Sequence, residues 1–82
     1  MADGKSYQAI VDKVVKDGKH GPYAVARCGE LKGCVTFSLD SNVWQEDEWP
    51  CPGMCVVLMQ VRKKRLGWFA KFGRLVTPAD DQ

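Results

Sequence analysis

Short apolar runs with a period near two, separated by stretches rich in glycine and proline, restrict most strongly how this chain can fold. The clearest run is 34–39 (CVTFSL), in which Val35, Phe37 and Leu39 alternate with small or polar residues. Side chains alternate between the two faces of a strand, so this spacing predicts a strand with one apolar and one polar face.

The same reasoning divides the chain into five strands joined by turns of glycine, proline and polar residues. The strands are predicted at 7–15, 23–27, 34–39, 54–61 and 68–76. The first of these runs (YQAIVDKVV) also carries apolar residues four apart, so a helix remains an alternative there. Polar turns are predicted at 16–22 and 28–33, and a basic turn (RKKRLG) is predicted at 62–67.

The longest connection, 40–50, lies between the third and fourth predicted strands. In it, Asn42 is predicted to cap a short helical turn, and one or both of Trp44 and Trp49 are predicted to be aromatic plugs. Five strands with a connector at this place match the order of an OB-fold. The prediction is therefore an all-β fold, a small five-stranded Greek-key barrel that is OB-like, with an SH3-like barrel as the alternative.

The chain has 82 residues, too few for a second domain or a deep substrate cavity. One domain is predicted over 1–82, with a core at about 6–77 and short polar N-terminal and acidic C-terminal tails. No apolar run is long enough to cross a bilayer, and the first residues (MADGKSYQ) lack the pattern of a signal peptide. We therefore expect a cytoplasmic protein with no membrane partner.

The four cysteines are Cys28, Cys34, Cys51 and Cys55. Without an export signal they are expected to be thiols, metal ligands or small core residues rather than disulfides. Neither pair has the two-residue spacing of a zinc knuckle, so zinc is the weaker alternative and no metal or cofactor is predicted. The lone histidine, His20, lies in a glycine-rich turn without a nucleophile nearby in sequence, and the chain is not expected to be an enzyme.

Basic residues concentrate in the segment 62–74 (RKKRLGWFAKFGR), which holds half of the Lys and Arg residues and no acid. Cationic side chains neutralise phosphates, and aromatic rings stack on unpaired bases. Strand alternation places Trp68 and Phe72 on one face and Phe69 and Lys71 on the other, so at least one of these sets must be core. The charges of the turn are thus the firmest functional candidates.

The segments GPYAVA, GCVTFSL, PGMCVVLMQV and GWFAKFGR resemble the RNA-binding OB domains of the cold-shock and S-one families, over about two thirds of the chain. Tyr23 falls on the exposed aromatic position of the second strand of those families. Thr36 falls where they often carry a histidine, and the aromatic and lysine pattern of their first strand is absent. The resemblance implies RNA binding on the open face of the second and third strands.

These observations predict a non-catalytic module that binds single-stranded nucleic acid, with RNA favoured over DNA, either free or within a larger ribonucleoprotein or protein complex. The alternative is a protein-interaction adaptor barrel that docks on a larger complex. The predicted binding residues are Tyr23, Arg27, Lys32, Thr36, Phe37, Arg62, Lys63, Lys64, Arg65, Trp68, Lys71 and Arg74.

Overall fold

The computed structural model describes residues 6–65 and 67–76. It contains five strands, β1 (Ser6–Val15), β2 (Tyr23–Cys28), β3 (Gly33–Ser38), β4 (Cys55–Lys64) and β5 (Gly67–Leu75). No helix occurs among the described residues, so the strand predicted at 7–15 is confirmed. The predicted tails at 1–5 and 78–82, Thr77 at the end of the predicted core, and Leu66 in the predicted basic turn lie outside these residues.

The strands close into a barrel in the order β1-β2-β3-β5-β4, with β4 returning to pair with β1. All neighbours run antiparallel except β3 and β5, which run parallel. A parallel pair requires a crossover, and the long connector after β3 together with β4 supplies it. The predicted all-β, OB-like five-stranded barrel is confirmed.

The barrel interior is filled by apolar residues from all five strands and from the connector after β3. The buried cluster comprises Ala9, Val11, Ala24, Ala26, Cys28, Val35, Phe37, Leu39, Trp44, Val56, Leu58 and Ala70. Ala24 on β2 pairs with Phe37 on β3, and Ala9 on β1 pairs with Val56 on β4, so small residues lie beside larger ones in one core. The described residues include no buried polar or charged side chain.

Trp44, in the connector after β3, closes one end of the barrel. Its side chain is 2% exposed, its ring stacks on Phe37 with centroids 5.7 Å apart, and its Nε1 donates to the Glu48 carbonyl at 2.7 Å. The main chain beside it is fixed to β5, because the Gly73 amide donates to the Val43 carbonyl at 2.9 Å. The predicted aromatic plug is therefore confirmed at Trp44.

Trp49 is 42% exposed, so of the one or two predicted plugs the connector supplies one. The predicted helical turn differs from the structure. Asn42 lies within a turn instead of capping a helical turn, because the Val43 and Trp44 amides both donate to the Asp40 carbonyl, at 2.9 and 2.8 Å. The turn does not continue beyond Trp44, because the main chain of Trp44 forms a β-bridge with Gly73 on β5.

The basic segment is also arranged differently. β4 extends to Lys64, so Arg62, Lys63 and Lys64 belong to a strand and not to a turn. Along β5, Ala70 and Gly73 are both buried. They are three residues apart, so the alternation of the strand shifts by one residue between them. On the neighbouring β4, Gln60 has an irregular backbone with a φ of 55°. The predicted common face of Trp68 and Phe72 is therefore wrong: Trp68 packs against the core, whereas Phe72 lies outside the core cluster.

Candidate functional site

The pairing register places one outward-facing row across four neighbouring strands. Val25 pairs with Thr36, Thr36 with Phe69, and Phe69 with Arg62. Their sequence neighbours Ala24, Val35 and Ala70 are buried in the barrel, so this row faces outward. A hydroxyl, an aromatic ring and a guanidinium therefore lie side by side on the outer surface.

Two adjoining cavities open on this surface, and together they are called the groove here. They share Thr36, Ser38 and Phe69. The first has a volume of about 480 Å³ and extends over β4 and β5, where Arg62, Lys64 and Lys71 line it. The second has a volume of about 540 Å³ and extends toward the turn before β2, where His20, Pro22 and Tyr23 line it. Phe69 thus lies between a basic and an aromatic part of one groove.

The charge of the groove is one-sided. The described residues that line the two cavities include no Asp or Glu, and the Lys and Arg side chains lie on β4 and β5. Tyr23 and His20 lie at the other side, where the lining is mostly apolar. A cationic edge beside flat rings can hold a ligand with anionic groups along one side and planar groups along the other.

The ring of Tyr23 lies against the turn between β1 and β2 at Gly18. A Cβ built on Gly18 would lie 2.8 Å from two Tyr23 ring carbons and 2.5 Å from the Gly21 carbonyl oxygen. The same turn is closed by the Gly21 amide, which donates to the Gly18 carbonyl at 3.1 Å. The absence of a side chain at Gly18 therefore lets Tyr23 approach the turn that borders the groove.

We expect Gly18→Ala to displace Tyr23 and to lower the free energy of unfolding by about 1–3 kcal/mol, because the added methyl overlaps backbone as well as ring. Chemical denaturation and the chemical shifts of the Tyr23 ring measure the two effects. Gly29→Ala is the matched control, since a Cβ there has no atom within 4 Å. Equal stability of the two variants would contradict the described packing of Tyr23.

Two lysines of β4 lie over aromatic rings of β5. The Lys64 Nζ is 5.3 Å from the centroid of the Phe69 ring, and the Lys63 Nζ is 5.6 Å from the centroid of Trp68. Both distances fall within the range of cation–π attraction. The two contacts differ in place, since Phe69 lines both cavities whereas Trp68 packs against the core and lines neither.

The groove brings together part of the predicted set. Tyr23, Thr36, Arg62, Lys64 and Lys71 line it. Phe37 also borders it, but the residue is 1% exposed with its ring stacked on Trp44, so a base cannot stack on that ring.

The remaining predicted residues lie elsewhere. Arg27 and Lys32 line a separate cavity of about 300 Å³ at the turn between β2 and β3. Arg27 there forms an exposed ion pair with Asp12, Nη2 to Oδ1 at 3.5 Å, which contributes little to stability. Lys63, Arg65 and Trp68 line neither cavity of the groove, and the Arg74 Nη1 donates to the Leu75 carbonyl at 3.2 Å.

Eight lining residues of the groove are absent from the predicted set: His20, Gly21, Pro22, Ser38, Val43, Gln60, Phe69 and Ala70. Alternation placed Phe69 and Lys71 on one face, and both line the first cavity. The choice between Phe69 and Trp68 depended on which ring packs inward. Trp68 pairs with the buried Val35 and packs against the core, so Phe69 is the outward ring. This pairing joins residues far apart in sequence, and the local pattern does not contain it.

The four cysteines are free thiols, with Cys28 buried and Cys34, Cys51 and Cys55 exposed. Within 6–65 and 67–76, no group of three or more His, Cys, Asp or Glu residues is placed to hold a metal ion. The part of the chain that the structure describes has no helix suited to crossing a membrane.

Comparisons of the chain with protein-family models, with curated proteins and with solved structures gave no match. The class of the protein is therefore defined by its own fold, a small closed barrel of five strands in the OB-like order. Many functions occur on such barrels, so the chemistry of the groove, and not the fold, indicates the function.

Proposed function

We propose that this chain is a non-catalytic module that binds single-stranded nucleic acid, with RNA favoured, in the groove over β2, β3, β5 and β4. The observation that carries the proposal is the position of Phe69 between the basic side chains of Arg62, Lys64 and Lys71 and the aromatic side of Tyr23. Phosphates and unpaired bases are the two groups that such a surface recognises.

The proposed ligand is single-stranded because the rings need access to base faces. In a duplex those faces are stacked on one another, whereas an unpaired base can leave the strand and lie on an aromatic side chain. The cavities of about 480 and 540 Å³ fall in the size range of sites for small planar ligands. The backbone would follow the basic edge on β4 and β5, with bases directed toward β3 and β2.

RNA is favoured over DNA for two reasons. The shared floor of the groove carries the hydroxyls of Thr36 and Ser38, which both donate and accept hydrogen bonds and so complement a ribose 2′-hydroxyl. The segments that resemble the cold-shock and S-one families include β2 and β3, which carry these residues.

The test is a titration of the purified protein with an unstructured oligouridylate at two salt concentrations. We expect binding to weaken as salt rises, and Phe69→Ala to cost about 1–3 kcal/mol of binding free energy, the value of one base–aromatic stack. Phe72→Ala is the control, because Phe72 is a half-buried ring of the same strand that lines neither cavity. Binding that is indifferent to both salt and Phe69 would refute the proposal.

A protein-interaction adaptor is the second candidate, and the exposure of Trp49 supports it. Trp49 is 42% exposed and follows the exposed acids Asp47 and Glu48, outside the groove lining. Backbone chemical shifts separate the two candidates. An oligonucleotide should move the amide signals of Tyr23, Thr36 and Phe69 if the groove binds nucleic acid, and should leave them in place if the barrel is only an adaptor.

A further inference from the structure

Phe69 is the ring that both cavities share, and the Lys64 ammonium lies over it, 5.3 Å from its centroid. Lys64 lines the first cavity but not the second, so the covered side of the ring belongs to the basic part of the groove. The face that would receive a base next to the cationic edge is therefore occupied by the protein itself.

Lys64 reaches this position through the register of the last two strands. It pairs with Gly67, and Phe69 lies two residues further along β5 on the same outer face. Gly67 has no side chain to separate them, and the flexible lysine stem can span the interval. The same ammonium can instead extend to a phosphate, because both the ring and the groove edge lie within its reach.

We infer that Lys64 acts as a displaceable cap on the stacking face of Phe69, an inference that rests on the proposed function. A base and the ammonium compete for one face of the ring. When a single strand binds, the ammonium leaves the ring and pairs with a phosphate, so base stacking and charge neutralisation are coupled through one side chain. Ligands that carry bases without phosphates displace the cap and gain no ion pair in return.

Lys63 provides an internal comparison. It is exposed, adjacent in sequence and also lies over a ring, with its Nζ 5.6 Å from the centroid of Trp68. Trp68, however, packs against the core and lines neither cavity, so the Lys63 contact covers no stacking face in the groove. Removing Lys63 therefore removes a similar charge and a similar contact without uncovering Phe69.

The decisive experiment compares an oligouridylate of about eight nucleotides, within the site size of an OB fold, with its uncharged methylphosphonate analogue of the same sequence. For Lys64→Ala we expect opposite changes with the two probes. Binding of the charged strand should weaken, because a phosphate contact is lost. Binding of the uncharged strand should tighten by about two- to fivefold, because the cation–π contact no longer has to be broken.

Lys63→Ala should weaken binding of the charged strand slightly and leave binding of the uncharged strand unchanged. If Lys64→Ala leaves the uncharged strand unchanged or weakens its binding, the cap is refuted while the groove remains a nucleic-acid site. If the wild-type protein binds neither strand, the proposed function itself fails. Binding of the charged oligouridylate to the wild-type protein therefore distinguishes failure of the cap from failure of the proposed function.

A measurement without nucleic acid tests the contact itself. Protons of the Lys64 ε-methylene that lie over an aromatic ring are shifted upfield by its ring current, and we expect this shift to disappear in Phe69→Leu. The ε-protons of Lys63 should keep their position in that variant, because they lie over Trp68. Lys64 ε-protons at the position of a solvent-exposed lysine in the wild-type protein would overturn the inference directly.

Discussion

Trp44→Ala is expected to remove most of the stability of this barrel. The variant loses a large buried ring, its stacking on Phe37 with centroids 5.7 Å apart, and the hydrogen bond from Nε1 to the Glu48 carbonyl. Replacing a buried tryptophan with alanine costs about 3–5 kcal/mol, because the surroundings fill the cavity only in part. Small domains have a total stability near the lower end of about 5–15 kcal/mol, so a large fraction of the variant should be unfolded at ambient temperature.

Equilibrium denaturation in guanidinium chloride, followed by far-ultraviolet circular dichroism, measures this loss. Trp49→Ala is the matched control, since it removes the same side chain from the same connector at a position that is 42% exposed. A surface substitution of this kind should change the free energy of unfolding by less than about 0.5 kcal/mol. Equal losses in the two variants would mean that Trp44 does not close the barrel as described.

Local patterns predicted that five strands form: alternation of apolar and polar residues in β3, and an apolar run rich in β-branched residues in β4. In β3 the residues Val35 and Phe37 are buried while Cys34 is exposed, as the period of two requires. The number of strands and the position of the long connector then restricted the topology to a few small barrels. The parallel contact between β3 and β5 was not predicted, because it joins residues far apart in sequence and has no local signal.

The basic segment was harder to predict from its sequence. Four consecutive cationic residues, Arg62 to Arg65, have the composition of a solvated turn, yet three of them continue β4. A strand of a closed barrel has one face in solvent, and long cationic side chains are compatible with that face. Composition therefore misplaced the point at which β4 ends, which is at Lys64 and not at residue 61.

The division of predicted residues between the groove and the remaining surface also depended on tertiary structure. Arg27 and Tyr23 lie on the same face of β2, but Arg27 is four residues further along the strand and borders another cavity. By contrast, Arg62 and Thr36 are distant in sequence and lie on either side of Phe69 in one row. Register between strands, which no single run of residues specifies, decides which of the candidates lie together.

The second large effect concerns the charges of the groove, and it is tested with the double variant Lys64→Ala/Lys71→Ala. Both lysines are exposed and line the first cavity. Each phosphate contact with a single strand changes the slope of log affinity against log salt by about 0.7, so loss of two should make the slope shallower by about 1.4. At about 0.1 M salt the affinity for oligouridylate should fall by on the order of tenfold.

The control is Lys16→Ala/Lys63→Ala, which removes the same net charge from two exposed lysines that line neither cavity. Long-range attraction depends on total charge and is reduced equally in both double variants, whereas direct phosphate contacts are lost only in the groove variant. The difference between the two salt slopes therefore measures contact in the groove, separately from net charge. Identical slopes would place the phosphates elsewhere on the barrel and remove the main support for the groove as the binding surface.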